Sequence, residues 1–324
     1  MKVQMNKNQS PKTTPVTPGD IVEYDFAGKL PERIREEIEV SLAIENEDAR
    51  SAGKLGFMAR ALVQATMPYK DPKANLFERR NGDLTLRIVS AERSGVPFGI
   101  YPRLLMSWLT TEAVRTQSPE IVLGESLGIF LREMKLTRGY ANQNFSNQMQ
   151  RLFSSVVSVK REGASGFSVK NITLIDEVEV TDADATSFWQ PQAIDVAGQW
   201  KSRLQISKRF FDEITSNPVP IDLRAYLGLK ASPLAMDIYA WLTYRLSYLR
   251  APSAPLAWEL LQAQFGSGFA FDGQGQRDFK KSFLKALKSV LLMYKEAKVT
   301  ATPKGLVLQP SKPHIPFKTQ DKLF

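Results

Sequence analysis

The sequence is a basic chain of 324 residues, long enough for about two globular domains. Its 43 Lys and Arg outnumber its 34 Asp and Glu, and a formal net charge of +9 favours a polyanionic partner, most often nucleic acid. With no Cys and one His, His314, the chain cannot form disulfides, the usual zinc sites or a Cys nucleophile. We expect a cytoplasmic protein, because no apolar run approaches the ~20 residues of a membrane span and the N-terminus lacks the apolar core of a signal peptide.

The motifs of common enzyme classes are missing. There is no P-loop pattern, and the GQG at 273–275 follows no apolar strand, which argues against a nucleotide loop. A carboxylate-only Mg²⁺ site is the remaining alternative. The acidic clusters at 45–48 and 176–184 are better interpreted as solvated helix ends or linkers. We therefore expect no cofactor, no metal and no enzymatic activity.

The N-terminal part of the chain divides into a tail and a short folded region. Residues 1–30 contain few apolar side chains and are expected to be disordered. Region 31–90 is predicted to contain a helix over 31–50, a short helix over 57–66 and, from its alternating apolar and polar side chains, a strand over 84–90.

Region 91–180 has the element order of a winged helix-turn-helix. The predicted elements are a helix over 102–115, a strand at 121–123, helices over 125–135 and 142–153, and a hairpin of 155–161 with 167–175. In such a domain the last helix enters the major groove of DNA. We predict a first winged helix at 91–180, followed by an acidic linker at 181–200.

The second half of the chain repeats this order. The predicted elements are helices over 233–249, 258–265 and 276–294, a strand at 256–258, and a hairpin of 296–301 with 305–309. Phe145 aligns with Phe279 and Met149 with Phe283, each pair 134 residues apart. The sequence therefore predicts an internal duplication in a mainly α fold with small β-hairpins (α+β): tandem winged-helix domains, the second at 201–310, followed by a tail at 311–324.

The last helix of each repeat carries a candidate DNA-binding face. The helix at 142–153 has side chains suited to base recognition opposite its apolar stripe: Gln143, Asn144, Asn147, Gln150 and Arg151. The helix at 276–294 has cations suited to phosphates: Arg277, Lys280, Lys281, Lys285 and Lys288. The hairpins add the phosphate candidates Lys160, Arg161, Lys170, Lys298 and Lys304. The alternatives are a polar helix end near a loop and a solvated basic face.

Other features have ordinary structural interpretations. The helical spacing of an aromatic group favours core packing over base stacking, and the group is Trp241, Tyr244, Tyr248 and Trp258. We expect His314 to dock on the surface within a Pro-rich tail. Two pairings are open to the strand at 84–90: with its twin in a homodimer, or with the first hairpin inside one chain.

Four stretches resemble a known family. They are MARALVQATMPYKDP, GIYPRLLMSWLTTEAVRTQSPEIVLGESL, PVPIDLRAYLGLKASPLAMDIYAWLTYRL and PSKPHIPF, and the chain is similar to the plasmid-encoded RepA replication initiators over about 55–315. Within the family it most resembles the branch of the broad-host-range IncW plasmids. The resemblance implies binding to repeated duplex sites (iterons) at the plasmid origin, origin opening, and recruitment of the host proteins DnaA and DnaB helicase, without catalysis.

Two alternatives remain from the residues themselves. A winged-helix autorepressor would use the same DNA chemistry and differ only in the events after binding. A winged-helix protein-interaction scaffold would need no DNA, but such scaffolds have neutral recognition helices, and the basic helix at 276–294 argues against one.

Overall fold

The computed structural model describes residues 31–91, 93–122, 131–136, 140–175 and 203–316. The predicted disordered segment at 1–30, the linker at 181–200 and most of the predicted helix at 125–135 lie outside these residues. We call residues 31–175 the first half and residues 203–316 the second half.

Helices and strands are mixed throughout, which confirms the predicted α+β class. The helices are α1 (Glu32–Asn46), α2 (Arg60–Gln64), α3 (Ile100–Thr116), α4 (Tyr140–Phe153), α5 (Lys208–Ser216), α6 (Leu223–Gly228), α7 (Pro233–Tyr248), α8 (Trp258–Phe265) and α9 (Gly273–Met293). The strands are β1 (Leu55–Met58), β2 (Leu76–Asn81), β3 (Leu84–Ser90), β4 (Glu120–Val122), β5 (Ser155–Gly163), β6 (Gly166–Thr173), β7 (Arg203–Gln205), β8 (Val219–Asp222), β9 (Leu256–Ala257), β10 (Val299–Thr302) and β11 (Gly305–Leu308).

A four-stranded antiparallel sheet in the order β2-β3-β5-β6 dominates the first half. Strand β3 has the predicted bounds and buries Leu84, Leu86 and Ile88. It pairs with β2 on one side and with β5 of the hairpin on the other. The homodimer through β3 is therefore wrong and its alternative is confirmed, because both hydrogen-bonding edges of this strand are used inside the chain.

The predicted helix at 57–66 is a strand followed by a short helix. Strand β1 pairs antiparallel with β8, and only α2 is helical. Pro220 of β8 lies opposite Phe57 in this two-stranded sheet. Proline is tolerated there because each strand has a neighbour on one side only.

The second half has the predicted order of elements. Helix α8 has the predicted bounds, and α9 begins three residues earlier than expected. The strands form a three-stranded sheet in the order β10-β11-β9. The aligned pair Phe145 and Phe279 is fully buried in α4 and α9, respectively. The tandem winged-helix architecture and its domain boundaries stay predictions.

A buried ion pair joins the two halves. Arg103 of α3 and Asp237 of α7 are 1% and 7% exposed, and the guanidinium Nε and Nη2 donate to the two carboxylate oxygens at 2.9 and 2.7 Å. The remaining Arg103 donors go to backbone carbonyls at 2.7–3.1 Å, those of Met67, Pro68 and Gly99. All five guanidinium N–H groups are thus used. Burial opposes the charged form, but the attraction of Asp237 raises the pKa of Arg103 overall.

Other contacts cross between the halves as well. The Arg79 guanidinium donates to the Ala263 carbonyl at 3.1 Å, and the Thr66 hydroxyl donates to the Gln264 carbonyl at 3.0 Å. From helix α1 the Ser41 hydroxyl donates to the Leu292 carbonyl at 2.7 Å. The first half is therefore attached to α8 and α9, the helices that lead into and form the basic face predicted for the second repeat.

His314 docks the C-terminal segment onto the second half, as expected. Its Nδ1 lies 2.8 Å from the Tyr239 hydroxyl, and its ring stacks on Tyr294 with centroids 4.6 Å apart. Burial lowers the pKa of His314, against a weaker opposing effect of Asp222 and Glu296. The imidazole is therefore neutral when docked at neutral pH.

We expect the free energy of unfolding to fall as the pH drops below about 6.5, the ordinary pKa of His. Below that pH the unfolded chain binds a proton that docked His314 does not, whereas above it both states are neutral. The slope contributed is at most about 1.4 kcal/mol per pH unit. Urea unfolding at pH 7.5 and 5.5 measures it. In the His314→Gln variant this component should disappear, and an equal decline in both proteins would contradict it.

Candidate nucleic-acid interface

Helix α9 presents a continuous row of cations to solvent. Its apolar stripe, including Phe279, Phe283 and Leu287, is buried. The opposite side carries four exposed cations that we call the α9 basic face: Arg277, Lys281, Lys285 and Lys288. Because three- and four-residue steps follow one side of a helix, these charges lie in one line. Lys280, also predicted, is half-buried, with its Nζ 4.8 Å from the centre of the Trp258 ring.

The charges of this surface are not neutralised within the described part of the chain. None of the four cations of the α9 basic face makes an ion pair there, nor does Lys298 or Lys304 of the β10–β11 hairpin. The acid of α9, Asp278, accepts a hydrogen bond from the Gln274 amide at 3.1 Å. A row of unpaired like charges repels itself, and a phosphate backbone would relieve that repulsion.

Arg151 of helix α4 lacks the exposure that contact with bases requires. We predicted that it contacts bases, but the residue is only 8% exposed. Its guanidinium lies 3.3 Å from the Asp71 carboxylate and from the Val96 carbonyl, and 5.0 Å from the centre of the Phe98 ring. Arg151 therefore fastens α4 to the loops around it and does not face a groove.

The rest of the predicted α4 face offers little free polar surface. Asn147 is exposed, whereas Asn144 and Gln150 are partly buried and already take part in interactions. The side chain of Gln143 lies outside the described residues. DNA contact by these residues stays a prediction.

The cations of the β5–β6 hairpin differ from those of the second half because each has a partner. Lys160 pairs with Glu162 at 2.6 Å, and Lys170 pairs with Glu213 at 2.9 Å. Arg161 donates to the Gln64 side chain at 2.6 Å. The three hairpin cations are therefore already engaged within the chain, unlike the cations of the α9 basic face.

Sequence reasoning undervalued two residues at the start of α9. Gln274 and Arg277 are exposed, and the Gln274 Oε1 accepts from the Arg277 Nε and Nη2 at 3.1 and 2.7 Å. Asp272 caps the helix by accepting from the Gly275 N–H at 2.7 Å. The signal in the sequence was this Asp-Gly start, which places Gln274 in the first turn. Amide and guanidinium groups there are the donor types that recognise adenine and guanine.

Two members of the aromatic group are core, as the spacing favoured, whereas Tyr244 is partly buried and Tyr248 is exposed. Trp241 and Trp258 are buried, and the Trp258 indole N–H donates to the Thr302 carbonyl at 3.1 Å, which ties α8 to the β10–β11 hairpin. Tyr248 is 43% exposed at the end of α7, where its ring contacts Tyr244 and Arg245.

Neither a metal cluster nor a membrane helix is found in the described part of the chain. Among those residues, no three His, Cys, Asp or Glu side chains are grouped so as to hold a metal ion. No helix there combines the length and apolarity needed to cross a membrane.

Comparisons with known proteins bear on the family and on the fold. The family model described as plasmid encoded RepA protein matches residues 96–259, from before α3 into α8. No curated protein sequence matches. A crystal structure of a SeMet derivative of domains 2 and 3 of RctB is 13% identical, with a TM-score of 0.50 over 77% of this chain and 95% of that chain. Another, of RctB residues 155–483, is 12% identical, with a TM-score of 0.48 over 78% and 97%. The first of these structures shows a shared fold, and neither match distinguishes the IncW branch.

Proposed function

The chain belongs to the family of plasmid-encoded RepA proteins, and from that premise we propose that it initiates plasmid replication by binding duplex DNA at the origin. The α9 basic face carries this proposal, because its four cations have no acidic partner among the described residues. Lys298, directly before β10, and Lys304, in the β10–β11 turn, are exposed further cations suited to phosphates.

We assign α9 to the major groove of the DNA, as the last helix of a winged helix-turn-helix. In such domains the N-terminal residues of that helix contact base edges. Gln274 and Arg277 hold this position in α9; both are exposed, and binding would exchange the hydrogen bonds between them for bonds to bases. The proposal therefore moves base recognition from α4, as the sequence suggested, to the first turns of α9.

Replacing Arg277 with Ala is expected to relax the preference at one base pair by about 1–3 kcal/mol, because a guanidinium bonds guanine through two atoms. Replacing Lys281 with Ala should instead weaken all duplexes about equally, because a phosphate contact reads no sequence. Binding to a set of duplexes with single base-pair changes measures both. A uniform loss for Arg277→Ala would contradict the assignment.

The same proposal includes the sites that the chain binds and the steps that follow binding. The chain would bind iterons near its own gene, open the origin and recruit DnaA and DnaB in the cytoplasm, with no catalytic step of its own. A footprint on the native plasmid would locate the binding sites. Origin opening, measured by reactivity of unpaired bases, separates this function from an autorepressor, and a failure to bind any duplex would favour the interaction scaffold.

We also propose a homodimer that contributes to copy control, now through a different strand. With β3 internal, β6 forms an outer edge of the four-stranded sheet and exposes Phe167 and Val169. An exposed apolar edge strand is a template for pairing with a second copy. Sedimentation over a range of concentrations tests this, and a chain that is monomeric throughout would end the idea.

A further inference from the structure

Phe271 is the most exposed of the large apolar side chains that the structure describes, at 73%. It lies in the turn between α8 and α9, directly before the helix cap Asp272. The ring is therefore available to contact a bound partner at the N-terminal end of α9.

The turn holds this ring outward. The Gln262 side chain donates to the Ala270 carbonyl at 2.8 Å, which fixes the residue before Phe271, and Asp272 after it is fixed as the cap. A Cβ at Gly275 would lie 2.0 Å from the Ala270 carbonyl oxygen, so the turn lies directly against the first turn of α9. The exposure of Phe271 therefore follows from its anchored neighbours.

The charges around Phe271 indicate nucleic acid as its occupant. The α9 basic face has no acidic partner within the described residues, which suits a phosphate backbone better than an ordinary protein surface. In the major groove the apolar group on offer is the C5-methyl of thymine, and Phe is among the side chains that contact it. A wedge between bases would require the minor groove instead.

We propose that Phe271 packs on the C5-methyl group of a thymine and so adds a third element of sequence recognition beside Gln274 and Arg277. This inference rests on the proposed function, since it requires α9 in the major groove. Helix rise is about 1.5 Å per residue, so Arg277 lies about 8 Å along the axis from the cap. At about 3.4 Å of rise per base pair, the thymine should therefore lie within about three base pairs of the base that Arg277 contacts.

The test removes the methyl group alone. Wild-type protein first selects its site from random-sequence duplexes, and each thymine of that site is then replaced singly by deoxyuridine. We expect one such replacement to weaken binding about fourfold, the value of one buried methyl group. In the Phe271→Ala variant the same replacement should have no effect, whereas Phe271→Leu should keep part of it.

Leu42→Ala is the control, because Leu42 is also a strongly exposed apolar side chain, at 51%, but lies on α1. It should retain the full thymine effect. The inference is overturned if no thymine responds, or if Phe271→Ala retains the response or weakens thymine and uracil duplexes equally. If the wild-type protein selects no site at all, the proposed function fails with it, so the two failures are distinguishable.

Discussion

Replacing Arg103 with Met is expected to lower the free energy of unfolding by about 3–5 kcal/mol, the cost of leaving a buried charge unpaired. The Asp237 carboxylate would lose its partner at 2.7 Å, and the carbonyls of Met67, Pro68 and Gly99 would lose their donor. Urea unfolding followed by tryptophan fluorescence measures the change.

Two further variants separate the ion pair from general effects. Arg87→Met removes a cation paired with Glu78 at the surface and should cost less than about 1 kcal/mol. Combining Arg103→Met with Asp237→Leu should recover part of the loss, because no uncompensated charge remains. A single Arg103→Met variant as stable as the wild type would show that the pair does not hold the halves together.

Replacing Lys281, Lys285 and Lys288 together with Gln is expected to produce the largest loss of DNA binding. Each phosphate contact contributes about −0.9 to the slope of log K against log salt, so three contacts should make the slope shallower by about 2.7. The fold should survive, because all three side chains are exposed and their helix keeps its buried stripe. Binding to one duplex over a series of salt concentrations measures the slope.

The matched control is a triple variant that removes three cations elsewhere: Lys54, Arg87 and Lys208 to Gln. These side chains are also exposed, so the net charge falls by the same amount without touching α9. The control should leave the slope almost unchanged. Equal slopes for the two triple variants would mean that binding depends on total charge, and the α9 basic face would lose its assigned role.

Local patterns were sufficient for elements whose burial is decided by their own residues. The alternation of Leu84, Leu86 and Ile88 predicted β3, and the stripe of Phe279 and Phe283 predicted α9. Strand β2 was missed because its sequence is charged, and nothing in that sequence indicates that Arg79 is buried. The Arg79 guanidinium donates to the carbonyl of Ala263, which is 184 residues away. A one-dimensional pattern contains no information about such a partner.

In the candidate site, too, the sequence predicted what local residues determine and missed what depends on distant partners. The cations of α9 were predicted because a one-sign helix face is visible in the sequence. Arg151 was misjudged because its burial depends on Asp71, 80 residues distant. The sequence did not suggest base recognition by Gln274 and Arg277, because that role depends on their position in the first turns of α9. The sequence-based prediction began this helix at residue 276, three residues too late.

The ion pair between the halves also restricts how chains can associate. Arg103 and Asp237 are 134 residues apart, the same interval that aligns the two predicted repeats, so positions that correspond in that alignment carry opposite charges. Two first halves meeting through this surface would bury Arg against Arg, and two second halves would bury Asp against Asp. Either arrangement costs several kcal/mol. At this surface a first half can therefore pair only with a second half. An exchange of halves between two chains would reproduce the native contact. A dimer in which identical halves meet must use a different surface.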